Sequence, residues 1–179
     1  MKILTFPNSK LKQLSSDYDI QDKNQQQELL ALIKEMALSM YESNGLGLAA
    51  PQVGVNKRLF IIDVDQNVKR DSDGEVISRT PGKLLVFINP KILEKKGETT
   101  YEEGCLSVPG VYEEVVRAEE VNVEFYDDKF EKKQLKVDGI LAIVIQHEND
   151  HLDGILFIDK LPTVKRAIVK KRILKGKNL

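Results

Sequence analysis

Residues 140–151 constrain the fold of this chain more than any other segment. The first six of them, 140–145, are all apolar, and the segment then continues as Gln-His-Glu-Asn-Asp-His. A helix that is apolar on every side has to be buried. The segment therefore predicts a helix in the interior of the protein, ended by Leu152-Asp153-Gly154. The apolar run is the longest in the chain and too short to cross a bilayer, so no membrane partner is expected.

The chain has only two histidines, and both lie in this segment. His147 and His151 are four residues apart, so on a helix their imidazoles lie one turn apart on the same face. Glu148 is rotated about 100° from His147, which directs it to a water molecule rather than to an ion held by the histidines. The His-Glu-x-x-His pattern predicts a catalytic metal site. The alternative is a pair of solvated surface histidines.

The single cysteine, Cys105, is the candidate for a third metal ligand. A catalytic site takes three protein ligands and keeps one position for water, so the two histidines leave it one ligand short. Considered alone, Cys105 is typical of a buried and unreactive thiol. With three ligands in place, the cation would bring the pKa of water toward neutrality, and Glu148 would take the proton. The reaction class that follows is hydrolysis of an amide or an ester.

The rest of the pattern favours one α+β domain over residues 1–179, with antiparallel sheets around the central helix. Residues 24–43 have apolar side chains at helical spacing, and Asn24 is the expected N-cap. The polar segment 65–83 is either a loop or a hairpin extension. Strands without a strand-helix-strand rhythm are predicted at 59–64, at 84–89, ended by Pro90, and at 121–126, which pairs with 135–137.

Charge and cysteine content exclude some classes of partner. Lys and Arg number 27 against 28 Asp and Glu, and the formal net charge of −1 excludes a uniformly basic DNA-binding chain. One cysteine permits no intramolecular disulfide. Pro7 and the polar residues at 8–10 interrupt any early apolar stretch, so no signal peptide is expected. These features favour a cytoplasmic protein.

The C-terminal residues 160–179 form a basic tail. They include eight Lys or Arg residues and no acid, whereas residues 1–159 carry a formal charge of −9. Val164, Ile168 and Leu174 give an apolar stripe that would place a basic C-terminal helix against the body. The tail is either a solvated helix that balances the acidic body or a helix that contacts a polyanion.

Three motifs follow one another along the chain: Gly-Leu-Gly-Leu-Ala-Ala-Pro-Gln at 45–52, Glu-Gly-Cys-Leu-Ser at 103–107 and Gln-His-Glu-Asn-Asp-His at 146–151. In order and spacing they resemble the motifs of bacterial peptide deformylases, over nearly the whole chain. The resemblance implies hydrolysis of the N-formyl group from N-terminal formylmethionine of newly synthesised polypeptides, with release of formate. It implies Fe²⁺ as the native metal, with Zn²⁺, Ni²⁺ or Co²⁺ able to occupy the site. Some members dock on the ribosome through a C-terminal helix, which would make the basic tail a ribosome contact.

The resemblance also implies roles for individual residues in catalysis. Glu148 would be the general acid and base. The side chain of Gln52 and the backbone N–H of Leu106 would hold the formyl oxygen, as in an oxyanion hole. The implied metal ligands are Cys105, His147 and His151.

Two further groups of residues follow from the resemblance. The backbone around Leu46 and Gly47 would pair with the substrate main chain. Glu103 and Arg117 match a pair that would hold the cysteine loop against the metal helix. The alternative for that pair is an ordinary surface salt bridge. The implied lining of the methionine pocket is Leu46, Ile143 and Val144.

Two other functions fit parts of the pattern. A zinc endopeptidase shares the His-Glu-x-x-His motif but usually takes a third His or Glu downstream, and the chain has no third histidine. A metal-stabilised binding module would have a closed site with four protein ligands, and only three good candidates are present. Residues 65–83 look longer than in compact deformylases, and some members carry a basic residue near Tyr112. The rim of the substrate pocket is therefore expected to differ.

Overall fold

The structure, a computed structural model, describes residues 1–73 and 76–176. The α-helices are α1 (Lys23–Glu42), α2 (Gly139–Leu152) and α3 (Thr163–Leu174). The strands are β1 (Gly47–Ala49), β2 (Leu59–Ile62), β3 (Asn67–Arg70), β4 (Val76–Thr80), β5 (Leu85–Lys96), β6 (Thr99–Cys105), β7 (Val108–Arg117), β8 (Glu120–Tyr126) and β9 (Lys132–Asp138). The paired strands are antiparallel, which confirms the predicted α+β class. In the described part of the chain, no helix is both long enough and apolar enough to cross a membrane.

The main sheet has the strand order β1-β2-β5-β8-β9, and the pairs β3–β4 and β6–β7 form two separate small sheets. Strand β2 is apolar along its whole length because helices cover both faces of the sheet. Phe60 lies in one core cluster with Ile145 of α2. Ile61, the next residue, lies in the other with Ile33 and Met36 of α1. Helix α2 also has ten buried residues, so its environment is interior.

The strand predicted at 84–89 corresponds to β5, and its predicted end at Pro90 is wrong. Strand β5 continues through Pro90 because the register with β8 shifts between Ile88 and Lys91. Asn89 takes a positive φ of 49° at this bulge. A proline at a bulge removes no ladder hydrogen bond, so the strand tolerates it.

The predicted N-cap of the first helix is also wrong by two residues. The side chain of Asp22, not of Asn24, accepts hydrogen bonds from the first-turn backbone N–H groups. These bonds come from Asn24 at 2.9 Å and from Gln25 at 3.3 Å. Both residue types cap helices well, so the short-range pattern did not distinguish between them.

Two hairpins complete the architecture around the main sheet. Within the segment 65–83, β3 and β4 pair as antiparallel strands, which favours the hairpin extension over the loop. The hairpin β6–β7 was not predicted, because buried charged residues interrupt its apolar alternation. Arg117 of β7 is 4 % exposed and Glu103 of β6 is 5 % exposed. This hairpin carries Cys105 at the end of its first strand.

Helix α3 packs with a different face from the predicted one. Val169 is buried and Ile173 packs with it against the body. Val164 and Ile168 have the same four-residue spacing as Val169 and Ile173, so periodicity alone did not decide between the two faces. Lys177 and the two residues after it lie outside the described residues. The residues of the predicted stripe are largely exposed: Val164 at 73 %, Ile168 at 54 % and Leu174 at 62 %.

Candidate metal centre

Three side chains from two elements converge at the end of strand β6. Cys105 closes β6, and α2 carries His147 and His151 one turn apart. The thiol sulfur and the ring nitrogens of the two histidines lie within 4.8 Å of one another. Cys105 Sγ is 3.3 Å from Nε2 of His151. One soft sulfur and two imidazoles in this arrangement fit a single transition-metal ion with room for water.

Glu103 orients one of these histidines. Its Oε2 lies 2.8 Å from Nδ1 of His147, which leaves Nε2 of the ring to face an ion. Arg117 donates to both carboxylate oxygens of Glu103, at 2.6 Å from Nε and 2.9 Å from Nη2. Burial alone would raise the pKa of Glu103, but these bonds and the Arg117 and His147 charges lower it to about 2. Glu103 therefore remains ionised.

Arg117 connects the cysteine hairpin to the histidine helix. Besides Glu103, its Nη1 donates to Oδ2 of Asp150 on α2 at 2.5 Å. Lys160 also pairs with Asp150, at 3.1 Å. The side chains of Arg117 and Glu103 are 2 % and 4 % exposed, so this is not a surface salt bridge. Sequence reasoning missed Asp150, although its position three residues after His147 places it on a neighbouring part of the helix face.

Glu148 is buried beside the three candidate ligands. It is 4 % exposed, and its Oε2 has no hydrogen-bond partner among the described residues. Burial raises the pKa of Glu148 to about 7, with Glu103 and Asp150 adding to the rise and His147 and Arg117 opposing it. A carboxyl group with a pKa near neutrality can both accept and return a proton at neutral pH.

Gly47 provides the surface on which the Glu148 side chain lies. A Cβ atom on Gly47 would be 2.5 Å from Oε1 of Glu148 and 2.9 Å from its Cγ. No side chain fits at position 47 unless the carboxylate moves. The glycine of the first motif thus places the free edge of β1 directly against the predicted acid and base.

We expect Gly47→Ala to lower kcat by about 10- to 100-fold without loss of the fold, because a displaced carboxylate transfers protons poorly. The measurement is steady-state hydrolysis together with metal content. Gly110→Ala is the control, since Gly110 has a φ of 73° but no atom within 4 Å of an added Cβ. The control should lose about 1 kcal/mol of stability through its left-handed backbone and keep its kcat. Equal kcat in the Gly47 variant and the wild type would contradict the packing argument.

Gln52 is held with its amide N–H₂ toward the cysteine. Its Oε1 accepts the backbone N–H of Ala49 at 2.8 Å. Its Nε2 donates to Oγ of Ser107 at 3.1 Å and lies 3.6 Å from Sγ of Cys105. The backbone N–H of Ser107 also points to this sulfur, at 3.4 Å. Ser107 was not predicted, and its contacts orient both the thiol and the amide.

A cavity of about 560 Å³ joins these groups. Tyr112, from the stretch expected at the pocket rim, also lines it. Tyr101 and Ile140 line it too and were not predicted; Ile140 lies about one turn before Ile143 and Val144, which is the signal that was available. A larger open groove of about 810 Å³ beside Arg58 is lined by none of the predicted site residues. His151 and Arg117 stand behind the cavity wall rather than in it. The predicted residues that line the cavity are Leu46, Gly47, Gln52, Glu103, Cys105, Leu106, Ile143, Val144, His147 and Glu148.

Comparisons with known proteins agree with one another. A sequence model of the family described as Polypeptide deformylase matches residues 1–167. A peptide deformylase of Neisseria meningitidis is 42% identical over 175 residues, covering 98% of this chain and 95% of that protein. The crystal structure of a peptide deformylase from Legionella pneumophila has a TM-score of 0.80 and 38% identity, covering 98% of this chain and 94% of that one. The crystal structure of a peptide deformylase from Synechococcus elongatus, in complex with actinonin, has a TM-score of 0.80 and 35% identity, covering 98% of this chain and 86% of that one.

Proposed function

The chain belongs to the polypeptide deformylase family and is a metal-dependent hydrolase that removes N-formyl groups, and from this premise we propose how its own residues do so. Cys105, His147 and His151 hold one divalent ion, and Glu148 is the general acid and base. The substrate is the N-terminal formylmethionine of a newly made polypeptide. The observation that carries the proposal is the convergence of the three ligands beside a buried carboxyl group on one cavity.

The reaction is hydrolysis of the formyl C–N bond. A divalent cation at this site supplies Lewis acidity, which makes hydroxide accessible near neutral pH. Glu148 takes the proton of the attacking water and returns it to the amine nitrogen as the C–N bond breaks, so the products are formate and a free α-amine. The Gln52 amide and the Leu106 N–H donate to the formyl oxygen as it gains negative charge. Ala49 and Ser107 hold the Gln52 amide before substrate arrives, so this donor needs little reorganisation.

The outer edge of β1 receives the substrate main chain. β1 is the last strand of its sheet, so one of its edges has no partner strand among the described residues. The carbonyl of Leu46 accepts the N–H of Asp63 at 2.9 Å. Because successive peptide groups of a strand point to opposite sides, the backbone of Gly47 faces the outer edge. The methionine side chain enters between Leu46 and the α2 residues Ile143 and Val144, which are apolar and line the cavity.

Residues 1–179 act as one domain in this proposal. Helices α1 and α2 pack on opposite faces of the same sheet, and the central helix α2 contributes both histidines. Because the substrates are nascent chains, the place of action is the cytoplasm.

The decisive experiment is formate release by protein purified without oxygen, with its metal content measured. The probes are an N-formylmethionyl tripeptide and the same tripeptide with a free amine. We expect one formate and one new amine per formylated peptide, and no reaction of the other probe. Cleavage of a peptide bond in the unformylated probe would instead support the endopeptidase. Full metal content without formate release would support the binding module.

Fe²⁺ is the metal we propose for the site. The donor set of one thiolate and two imidazoles accepts several transition metals, and an electron-rich iron–thiolate centre is open to oxidation at both iron and sulfur. We expect activity of the Fe²⁺ form to decay in air and activity of the Ni²⁺ form to persist. The measurement is the half-life of formate release for the two reconstituted forms. Equal half-lives would contradict the iron assignment.

The basic tail is proposed to contact the ribosome through its outward cations. Several cations of the tail are already used within the protein: Lys165 pairs with Glu113 at 2.5 Å, and Lys170 pairs with Asp159 at 2.7 Å. Arg166 donates to the backbone carbonyl of Asp159 at 3.1 Å. Among the described residues of the tail, the exposed cations without an ion pair are Lys171, Arg172 and Lys175.

Alanine at Lys171, Arg172 and Lys175 together should weaken ribosome binding and leave hydrolysis of short peptides unchanged. Loss of three phosphate contacts should flatten the log–log salt slope by about 2 to 3. Binding is measured by co-sedimentation over a salt series. Alanine at Lys2, Lys34 and Lys91, which changes the net charge equally, is the control. Equal slopes for both triple variants would leave the solvated-helix interpretation in place. Point substitutions are preferable to truncation because Val169 is buried.

A further inference from the structure

A buried glutamine outside the cavity holds the loop that carries the substrate edge. Gln66 follows β2 and is 8 % exposed. Its Nε2 donates to the carbonyl of Gly45 at 2.8 Å and to the carbonyl of Asp63 at 2.9 Å. Because both acceptors are carbonyl oxygens, only the N–H₂ group of the amide satisfies them, which fixes its orientation. Gln66 thus joins the first motif to the end of β2.

The other partner in this contact, Asp63, is itself firmly held. Its backbone N–H donates to Leu46. Its carboxylate is fully buried and accepts the hydroxyl of Tyr41 at 2.7 Å and the backbone N–H of Gly82 at 2.8 Å. Burial and the hydrogen bond to this carboxylate raise the pKa of Tyr41 above its usual range, so the hydroxyl remains a donor. Gln66 therefore ties Gly45 to a rigid point of the sheet.

The loop has close neighbours on its other side. A Cβ on Gly45 would lie 2.9 Å from Cδ1 of Leu106, and one on Gly47 would meet Glu148. Residues 45–47 therefore lie between the Gln66 amide and the catalytic groups. A small shift of this loop changes the position of the β1 edge relative to the formyl-binding groups.

We propose that Gln66 is a positioning residue that holds the backbone of Gly45 to Gly47 in register for the substrate main chain. The inference rests on the proposed function, because it requires that a peptide pairs with the edge of β1. Gln66 does not line the cavity, so it acts through Gly45 and not by contact with substrate. Gln66 therefore favours the binding of substrates whose main chain pairs with the edge of β1, and it does not act on the chemistry of the formyl group.

The test compares two probes in the holoenzyme: an N-formylmethionyl tripeptide, which engages the edge along its main chain, and N-formylmethionine amide, which ends after one residue. The variants are Gln66→Met, which keeps the length of the side chain but has no donor, and Gln66→Ala. Gln134→Ala, at an exposed glutamine on β9, is the control. Metal content and thermal stability are measured for each protein.

We expect kcat/KM for the tripeptide to fall about tenfold in both Gln66 variants, which is a loss of the size that about one hydrogen bond contributes. The amide probe should change less than about twofold on the same reasoning, because it does not use the full edge. Hydrogen exchange should accelerate at the backbone amides of Gly45 and Asp63, which are bonded to Met40 and Leu46. Metal content should stay at the wild-type level.

Equal losses for the two probes, no loss for either, or failure of both variants to fold would overturn the positioning role. Wild-type protein that prefers the tripeptide no more than the amide would also overturn it, because there would be no edge contribution to lose. A wild-type protein that releases formate from neither probe contradicts the proposed function itself. The rates of the wild-type protein therefore distinguish failure of the positioning role from failure of the proposed function.

Discussion

Glu148→Gln is expected to lower kcat for formate release by about 10²–10⁴, the usual contribution of a general acid and base, while the metal stays bound. Glutamine has nearly the same shape as glutamate, so Gly47 can still accommodate the side chain. It can neither accept the proton of water nor deliver one to the leaving amine. The measurement pairs steady-state kinetics with metal analysis on the same preparation.

The pH profile of the wild type should report the same group. Burial raises the pKa of Glu148 to about 7. The ionised base is scarce below its pKa and increases as pH rises through it, so kcat/KM should rise along an acidic limb. Glu148→Gln should lack that limb.

A glutamate on the surface of α1, Glu35, supplies the matched control. It is exposed and takes no part in the cavity, so Glu35→Gln should keep both kcat and the acidic limb. A Glu148→Gln variant with full metal content and a kcat near the wild-type value would show that another group moves the proton.

Cys105→Ser is expected to abolish most activity by a different route, through loss of the metal. A neutral hydroxyl replaces a thiolate donor, and soft sulfur ligands contribute much of the affinity for transition metals. Metal affinity should fall by more than about 100-fold, the upper range for changes to groups that only support a ligand. Competition with a chelator, read out as bound metal per protein, measures this directly.

The stability of the protein should follow the metal. An ion that binds only the folded state stabilises it by mass action, so added metal should raise the Tm of the wild type more than that of Cys105→Ser. Ser107→Ala is the control on the same loop for metal binding, because Ser107 is not a member of the ligand cluster and alanine keeps the backbone N–H that contacts the sulfur. If Cys105→Ser kept both its metal and its turnover, Cys105 would not be a ligand.

Several features of the fold were readable because their causes are local. The hairpin β8–β9 follows from alternating apolar residues on either side of a short polar turn. Strand β2 was recognisable from a continuous apolar run. The fold class follows from these elements and from the missing strand-helix-strand rhythm. In each case the signal and the structure lie within about 20 residues of each other.

Other features depended on partners far along the chain. Pro90 ends a strand by local rules, yet the bulge opposite β8 lets β5 continue. Either apolar stripe of α3 could have faced the body. The face with Val169 is inward in a helix whose Lys165 and Lys170 pair with Glu113 and Asp159 of the body. The hairpin β6–β7 escaped notice because Arg117 occupies an inward position that its partner Glu103 makes tolerable.

The candidate site also combines features that have local causes with features that depend on distant partners. By itself the sequence determined the residue types and the four-residue spacing of His147 and His151, because helix geometry converts that spacing into a shared face. Only the tertiary structure decided that Cys105 meets them, that Arg117 reaches Asp150, and that Glu148 lies on Gly47. Those contacts join residues from 33 to 101 positions apart in the chain. Periodicity shows where the apolar side chains of an element lie but not which residues they pack against, because long-range packing and buried charge pairs select the partner.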